Sequence, residues 1–189
     1  MQSKSLAIAS LGIAVSVIGT FLFLNFYGVP SEAWLLKGGM VLSSAAFSNG
    51  TAIPQEYTCN GTNLSPPLAW AGQPSSTVSL ALIMEDPDAQ SGLFTHWVLF
   101  NIPPDLLSLG SSQPSDNTID GMAIQGKNDF GVIGYKGPCP PAGSTHHYRI
   151  LVFALNTSVN LPPGSTRADL LRAIMGHVVA SGTLIGTYG

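Results

Sequence analysis

The hydrophobic pattern divides the chain into two parts. From Leu6 to Phe26 the residues are almost continuously apolar, and no charged residue occurs from Ser5 to Ser31. An α-helix needs roughly 20 such residues to cross a bilayer, so the pattern predicts a transmembrane anchor over residues 6–27. A cleaved secretory signal is the alternative. It is disfavoured because its apolar region is usually only about 7–15 residues long and because no clear A-x-A cleavage site follows here.

The few charges near the anchor predict its orientation. Lys4 and the amino terminus favour the cytoplasmic side for residues 1–5, although Lys37 lies close to the other end of the anchor. Residues 28–37 are then a short linker, and residues 38–189 form a domain on the extracytoplasmic side. The prediction is a single-pass membrane protein, with a secreted protein as the alternative if the segment is cleaved.

Beyond the linker, short apolar runs separated by Gly, Pro and Asn turns predict a mainly β domain. Val78–Met84 and Trp97–Ile102 are apolar throughout, which is typical of central strands buried on both faces. Residues 103–145 are a long irregular span by composition, and such spans in compact domains are usually functional. Further strands are predicted at Met40–Phe47, Leu68–Trp70, His146–Leu155 and Val178–Tyr188.

One helix is predicted in this domain. Thr166 is suited to the N-cap position, and Asp169 stands three residues later, where a capping box needs an acceptor. Gly176 and His177 mark the end of the helix. The apolar residues on helical spacing are Leu170, Leu171, Ile174 and Val178.

The composition excludes one class of partner and bears on the cysteines. Only 9% of the residues are charged and the net charge is −3 with no basic run, so nucleic acid is not expected as a partner. An exported domain permits a disulfide, and Cys59 and Cys139 can pair within the chain in only one way. Two buried thiols or a two-cysteine metal half-site are the alternatives. The metal site is the weaker of these because neither cysteine has a CxxC partner.

Polar residues gather where the predicted central strands begin and end. Asp86 and Asp88 follow the first strand, His96 precedes the second, and His146 follows a loop rich in Gly and Pro. A histidine can donate to an anion, and a nearby carboxylate favours its charged form and fixes its tautomer. The pattern therefore predicts a small polar pocket suited to phosphate or carboxylate. The plain alternatives are an Asp-Pro-Asp turn and a core histidine bonded to a backbone carbonyl.

The strand after the loop alternates between two faces. Residues two apart share a face, so His146 and Tyr148 point one way and His147 the other. Gly137 and Gly143 allow the loop backbone to approach a ligand closely.

These segments together resemble the signatures of the phosphatidylethanolamine-binding protein family, and in particular its bacterial and archaeal Raf-kinase-inhibitor-like branch. The resemblance covers about residues 40–189. It is carried by Asp86-Pro-Asp-Ala89, His96-Trp97 and Gly137-Pro-Cys-Pro-Pro-Ala-Gly-Ser-Thr-His-His-Tyr148, with support from Tyr57–Trp70, Gly176-His177 and Gly186-Thr-Tyr188.

The resemblance implies an antiparallel β-sandwich of two sheets with a few peripheral helices, preceded here by the N-terminal transmembrane helix. It also implies a small anion pocket at one end of the sandwich and no cofactor. Supporting roles fall on Asp88, Trp97, Gly137 and Gly143. The implied ligand-binding residues are Asp86, His96, Cys139, Pro140, Pro141, His146 and Tyr148.

The sequence departs from the family pattern at two positions. Gln90 stands where the family commonly has Pro, which loosens the turn after Asp88. His147 replaces the usual Arg, so that a titratable group takes the place of a fixed charge. Because His147 faces away from the pocket, we expect altered sheet support and a fold that is sensitive to pH at about pH 6–7.

The predicted function is a membrane-anchored binding protein whose pocket takes phospho-head groups or similar small anions. The first alternative is an inhibitor of an extracytoplasmic serine protease, because some relatives regulate kinases and others inhibit serine proteases. A hydrolase with a metal or an Asp–His base built from Asp86, Asp88, His96 and His146 is less favoured, and no catalytic residue or metal is expected. The spacing matches no known hydrolytic metal motif, and no nucleophile lies in a recognisable elbow.

Overall fold

Two β-sheets enclose the main hydrophobic core of this protein. The structure is a computed structural model, and it describes residues 32–189. The anchor predicted over residues 6–27 and the cytoplasmic residues 1–5 lie outside the described residues. Within residues 32–189, no helix is both long enough and apolar enough to span a membrane. Leu35–Gly189 form one compact unit.

The larger sheet has seven strands and the smaller sheet has three. In spatial order the larger sheet comprises β2 Thr51–Ala52, β10 Val178–Tyr188, β9 His146–Leu155, β4 Ser79–Asp86, β5 Phe94–Ile102, β8 Ala123–Gln125 and β7 Thr118–Ile119. The smaller sheet comprises β1 Val41–Ser43, β3 Leu68–Ala71 and β6 Ser108–Leu109. Neighbouring strands are antiparallel, except that β2 runs parallel to β10.

The two strands predicted to be central, β4 and β5, are buried on both faces, as their continuous apolar sequences predict. All eight residues of β4 are buried. On one face, Leu82 and Ile150 pack in the same cluster as Leu42 and Trp70 of the smaller sheet. Alternate residues such as Ile83 face the other side, where a helix contacts β5.

That helix, α1 Arg167–Ile174, begins where the sequence predicts. The Thr166 side chain accepts from the Asp169 backbone amide, and the Asp169 carboxylate accepts from the Thr166 backbone, so the capping box is complete. Leu170 and Ile174 are fully buried. Among residues 32–189 it is the one α-helix, accompanied by two short 3₁₀ helices, Glu32–Leu35 and Gln55–Tyr57.

A buried ion cluster ties α1 to the sheet. The Glu85 side chain is fully buried and accepts from Arg149 Nε and from Arg167 Nε, each at 2.7 Å. Breaking such a buried pair costs about 3–5 kcal/mol because it leaves an uncompensated charge. Glu85 therefore holds the end of β4 in place, one residue before Asp86.

The structure differs from the predicted strands mainly at their ends. β5 begins at Phe94, three residues before the predicted start at Trp97, so that His96 lies within the strand, and β2 was not predicted. The strand predicted over Met40–Phe47 is only Val41–Ser43, because the Ser44 hydroxyl donates to Pro67 O at 2.7 Å and accepts from Ala46 N at 3.1 Å. These side-chain bonds take the place of sheet pairing at Ser44. The irregular span of residues 103–145 contains the short strands β6, β7 and β8.

Candidate functional site

A cleft opens at the end of the larger sheet, where β4 ends and β5 and β9 begin. Its volume is about 270 Å³, near the lower limit for small-molecule sites. The lining residues come from these strand ends, from the turn after β4 and from two loops that precede β9. They are Asp86, Ala89, Gln90, Ser91, Phe94, His96, Phe130, Cys139, Pro141 and His146.

The polar end of the cleft is a buried carboxylate–imidazole pair. His146 Nδ1 lies 2.7 Å from Asp86 Oδ2, and the two residues are only 7% and 4% exposed. The other carboxylate oxygen, Oδ1, accepts from the Asp88 backbone amide at 2.8 Å. Both oxygens of Asp86 are therefore engaged, and the carboxylate fixes the orientation of the His146 ring.

His96 is oriented by a backbone carbonyl instead. Its Nδ1 lies 2.7 Å from Lys136 O, and because a carbonyl oxygen only accepts, Nδ1 carries the hydrogen. Burial lowers the pKa of His96 below its usual value of 6.5. The Lys136 carbonyl and the charges of Asp86 and Asp129 raise the pKa, but their effect is smaller than that of burial. Burial therefore favours the neutral form of His96.

Aromatic rings form the apolar wall of the cleft. The ring centroids of Phe94 and Phe130 lie 4.9 Å apart, and His96 lies 5.4 Å from Phe130 and 5.5 Å from Phe94. All three contacts are edge-to-face, which is a favourable geometry for aromatic pairs. This wall can pack against the carbon atoms of a ligand whose polar end meets Asp86 and His146.

Tyr148 lies behind the histidines rather than in the cleft lining. Its ring centroid lies 5.2 Å from His96 and 6.5 Å from His146, and it is fully buried. The hydroxyl has no hydrogen-bond partner among the described residues. Burial raises the pKa of Tyr148, and the Asp86 charge raises it further. Pro140 likewise falls outside the lining residues.

A disulfide fastens the Pro-rich loop of the cleft. Cys59 and Cys139 are bonded, with their Cα atoms 5.4 Å apart, so the alternatives of free thiols and a metal half-site do not apply to them. Cys59 N donates to Pro138 O at 3.0 Å, and Gly137 N donates to Asn63 Oδ1 at 2.8 Å. The loop is thereby tied to the segment that follows the second 3₁₀ helix.

The residues predicted to support the site surround it. Asp88 is outside the lining and bonds His147 on the outer face of β9. Trp97 is fully buried, and its Nε1 donates to Gln125 Oε1 at 2.8 Å. Gly143 is exposed and has a positive φ of 82°.

Sequence reasoning missed the aromatic wall. Phe94 stands two residues before His96 in β5, so the period-two rule could have found it. Phe130 comes from a loop 34 residues further along the chain than His96, and no local signal marks it. Gln90, noted above as a departure from the family pattern, lies in the cleft lining with Ala89 and Ser91.

Comparisons with known proteins agree with this architecture. Residues 43–189 match the sequence model of a family described as "Phosphatidylethanolamine-binding protein". A "UPF0098 protein" of Methanothermobacter thermautotrophicus is 48% identical over 149 residues, which cover 79% of this chain and 98% of the relative. A Mycobacterium tuberculosis protein named "Putative lipoprotein LppC" is 37% identical over 150 residues, which cover 79% of this chain and 72% of the relative.

Two crystal structures are similar to this chain along most of its length. One is CT736 of Chlamydia trachomatis, titled a "Putative PhosphatidylEthanolamine-Binding Protein (PEBP) Homolog", with a TM-score of 0.74 and 39% identity. The other is YbcL of E. coli, titled a new member of the mammalian PEBP family, with a TM-score of 0.75 and 31% identity. Each alignment covers 80% of this chain and 98% of the solved chain.

Proposed function

Because the chain belongs to the phosphatidylethanolamine-binding protein family, we propose that its cleft binds small phosphate-bearing head groups or similar anions. The observation that carries this proposal is the buried Asp86–His146 pair at the closed end of the cleft, 2.7 Å apart. A carboxylate and an imidazole are costly to bury together without a role for their polar atoms.

The dimensions of the cleft support a head group rather than a whole lipid. About 270 Å³ holds a phosphate with a short organic substituent, whereas acyl chains need a much larger apolar cavity. The aromatic wall of Phe94 and Phe130 gives the carbon atoms of such a substituent an apolar contact. A polar end and an apolar side in one small cleft suit a ligand with the same two parts.

The proposed location is the extracytoplasmic face of a membrane, with the N-terminal apolar segment as the anchor. This is supported by the length of that segment and by the relative whose name calls it a lipoprotein. The Cys59–Cys139 disulfide also fits an oxidising compartment.

Calorimetric titration of the full chain in detergent micelles with phosphoethanolamine tests the binding proposal. His146→Gln should weaken binding at least about tenfold because the ring held by Asp86 is lost. His147→Gln is the matched control, since His147 is the next residue but faces solvent on the opposite side, and its affinity should equal that of the unchanged chain.

Two outcomes would overturn the proposal. One is equal loss of binding in both variants, which would place the site elsewhere. The other is no binding at about 10 mM ligand, which limits the binding free energy to less than about 3 kcal/mol. Inhibition of an extracytoplasmic serine protease would then be the function to test next.

A further inference from the structure

The cleft that we propose to bind anions is lined by no fixed positive charge among the described residues. Of the residues lining it in the described part of the chain, none is lysine or arginine, and Asp86 is the single carboxylate. With both histidines neutral, the cleft therefore carries one negative charge. An entering anion would meet repulsion at the end where its oxygens should bind.

Both imidazoles direct a hydrogen-bond acceptor away from their fixed partners. Nδ1 of His146 is engaged by Asp86, and Nδ1 of His96 is engaged by the Lys136 carbonyl. A neutral imidazole has only one N–H, so Nε2 of each ring carries a lone pair. Ser144 Oγ lies 3.4 Å from His146 Nε2, but its hydroxyl donates to Pro141 O at 2.7 Å.

The buried side chains of the cleft thus offer acceptors to a ligand. The side-chain donors of the lining are the amide of Gln90 and the hydroxyl of Ser91, and both residues are exposed at the mouth. A phosphate oxygen at the closed end needs a donor there, since an unpaired buried acceptor is costly. One added proton supplies that donor.

Resting on the function proposed above, we infer that the cleft takes an anion together with one proton. His146 holds this proton on Nε2, and the resulting N–H donates a hydrogen bond to the ligand. The resulting imidazolium has Asp86 on one side and the anion on the other, so each of its N–H groups meets a negative charge. The proton comes from solvent when the ligand is a phosphodiester. A phosphomonoester, whose second ionisation lies at about pH 6, can bring the proton itself.

His146 is the proton acceptor rather than His96 because their partners differ. Asp86 contacts His146 with a full negative charge, whereas His96 contacts a neutral carbonyl. Burial also lowers the pKa of His96, with Asp129 and the Asp86 charge acting in the opposite direction.

The other charged or titratable groups around the two rings do not replace this role. Tyr188 lies across from His146 on β10, and the ring of Tyr148, outside the cleft lining, packs against both histidines. Asp88 and His147 form their own pair on the outer face of β9, and Glu85 is occupied by two arginines. Lys136 meets His96 through its backbone carbonyl.

The test measures proton uptake on binding, with the full chain in detergent micelles. Titrations at pH 8 in two buffers of different ionisation enthalpy give the number of protons taken up. Two probes are used. Phosphoethanolamine is a free phosphomonoester, and glycerophosphoethanolamine is the diester form of a lipid head group. We expect about one proton for each probe at pH 8 and an affinity that falls about tenfold per pH unit on the alkaline side of the profile.

The affinities of the diester and the monoester should differ on the acid side of the pH profile. Towards low pH the diester affinity should level off, because the inferred complex holds only one added proton and the diester does not titrate there. The monoester affinity should instead decline, because its dianion is lost below its second ionisation. Whichever probe binds more tightly at pH 7 identifies the source that the cleft prefers.

Three variants locate the proton. With the diester probe, His146→Gln should bind without proton uptake, since neither the amide nor the diester takes a proton at this pH, whereas His147→Gln and His96→Asn should retain uptake. Uptake retained in His146→Gln and lost in His96→Asn would overturn the assignment to His146.

If His146→Gln does not fold, the proton count of the unchanged chain still decides the inference. Binding with no proton uptake overturns the inference and leaves the proposed function standing, whereas no binding of either probe from pH 5 to 8 overturns both.

Discussion

One oxygen of Asp88, Oδ2, accepts from both the backbone amide and the ring Nδ1 of His147, each at 2.8 Å. The pair is exposed, with 60% of the His147 side chain and 42% of the Asp88 side chain accessible. It lies back to back with the buried Asp86–His146 pair, because adjacent residues of a strand face opposite sides. The start of β9 therefore carries two Asp–His pairs, and only the inner pair lines the cleft.

The outer pair should matter for the loop more than for ligand binding. His147→Ala should lower the free energy of unfolding by less than about 1 kcal/mol, as is usual for an exposed ion pair, and leave anion affinity unchanged. Asp88→Ala should lower the free energy of unfolding by more than His147→Ala, because it also removes the acceptor of the His147 backbone amide and frees the turn after β4. Urea unfolding and phosphoethanolamine titration of both variants check this. A change in anion affinity in His147→Ala would contradict the prediction that only the inner Asp–His pair takes part in binding.

Acidification adds a second test of Asp88. The His147 bonds lower the pKa of Asp88 below 3.8. A depressed carboxyl pKa contributes stability that is present above the unfolded value and is lost as pH falls through the folded value. In Asp88→Asn, the part of the acid unfolding profile below about pH 3.8 should therefore be shallower than in the unchanged chain.

Reduction of the Cys59–Cys139 disulfide should destabilise the domain and weaken ligand binding. The bond joins residues 80 positions apart, and closing a loop of that size is worth about 4–5 kcal/mol in the chain-entropy treatment. Cys139 also lines the cleft, so its release should lower anion affinity. Denaturation with and without reductant measures the loss, and a Cys59→Ser, Cys139→Ser double variant should not respond to reductant. A loss below about 1 kcal/mol would show that other contacts hold the loop.

His96 should make the fold less stable as pH falls. Burial lowers its pKa in the folded chain below 6.5, so the unfolded chain binds the proton first. Acidification from pH 6.5 down to the folded value therefore favours unfolding, by at most about 1.4 kcal/mol per pH unit for one group. His96→Asn keeps a donor for Lys136 O and should flatten this part of the profile. The measurement is urea unfolding between pH 7.5 and 4.5 in phosphate-free buffer, and parallel profiles for the two proteins would contradict the prediction.

Two glycines of the cleft loop should differ in what an added methyl group does. At Gly137 a Cβ atom would lie 2.2 Å from Tyr57 O, so Gly137→Ala must displace backbone and should cost about 2 kcal/mol or more. At Gly143 nothing lies within 4 Å of such an atom, but φ is +82°, which should cost about 1 kcal/mol as strain. Denaturation of both variants checks the order. Equal losses would mean that the Gly137 contact relaxes easily.

Local patterns were sufficient for several elements of the fold. The sequence predicted α1 from its capping box, and both bonds of that box are present, because the box depends on residues only three positions apart. The bounds predicted for β9 and β10 agree with the structure, since long alternating or apolar runs specify a strand without reference to distant residues. The resemblance to the family, carried by motifs in a fixed order, is confirmed by the family match over residues 43–189.

The sequence by itself therefore determined the family, most long elements, and the alternation that sends His146 inward and His147 outward. Only the tertiary structure decided how short the first strand is, that β2 pairs in parallel with β10, and that Phe130 closes the aromatic wall against His96. It also decided which nitrogen of each imidazole meets a fixed partner, because the Lys136 carbonyl and the Asp86 carboxylate reach these rings from positions 40 and 60 residues away. Contacts across such distances depend on how whole strands and loops are placed, and no local periodicity encodes them.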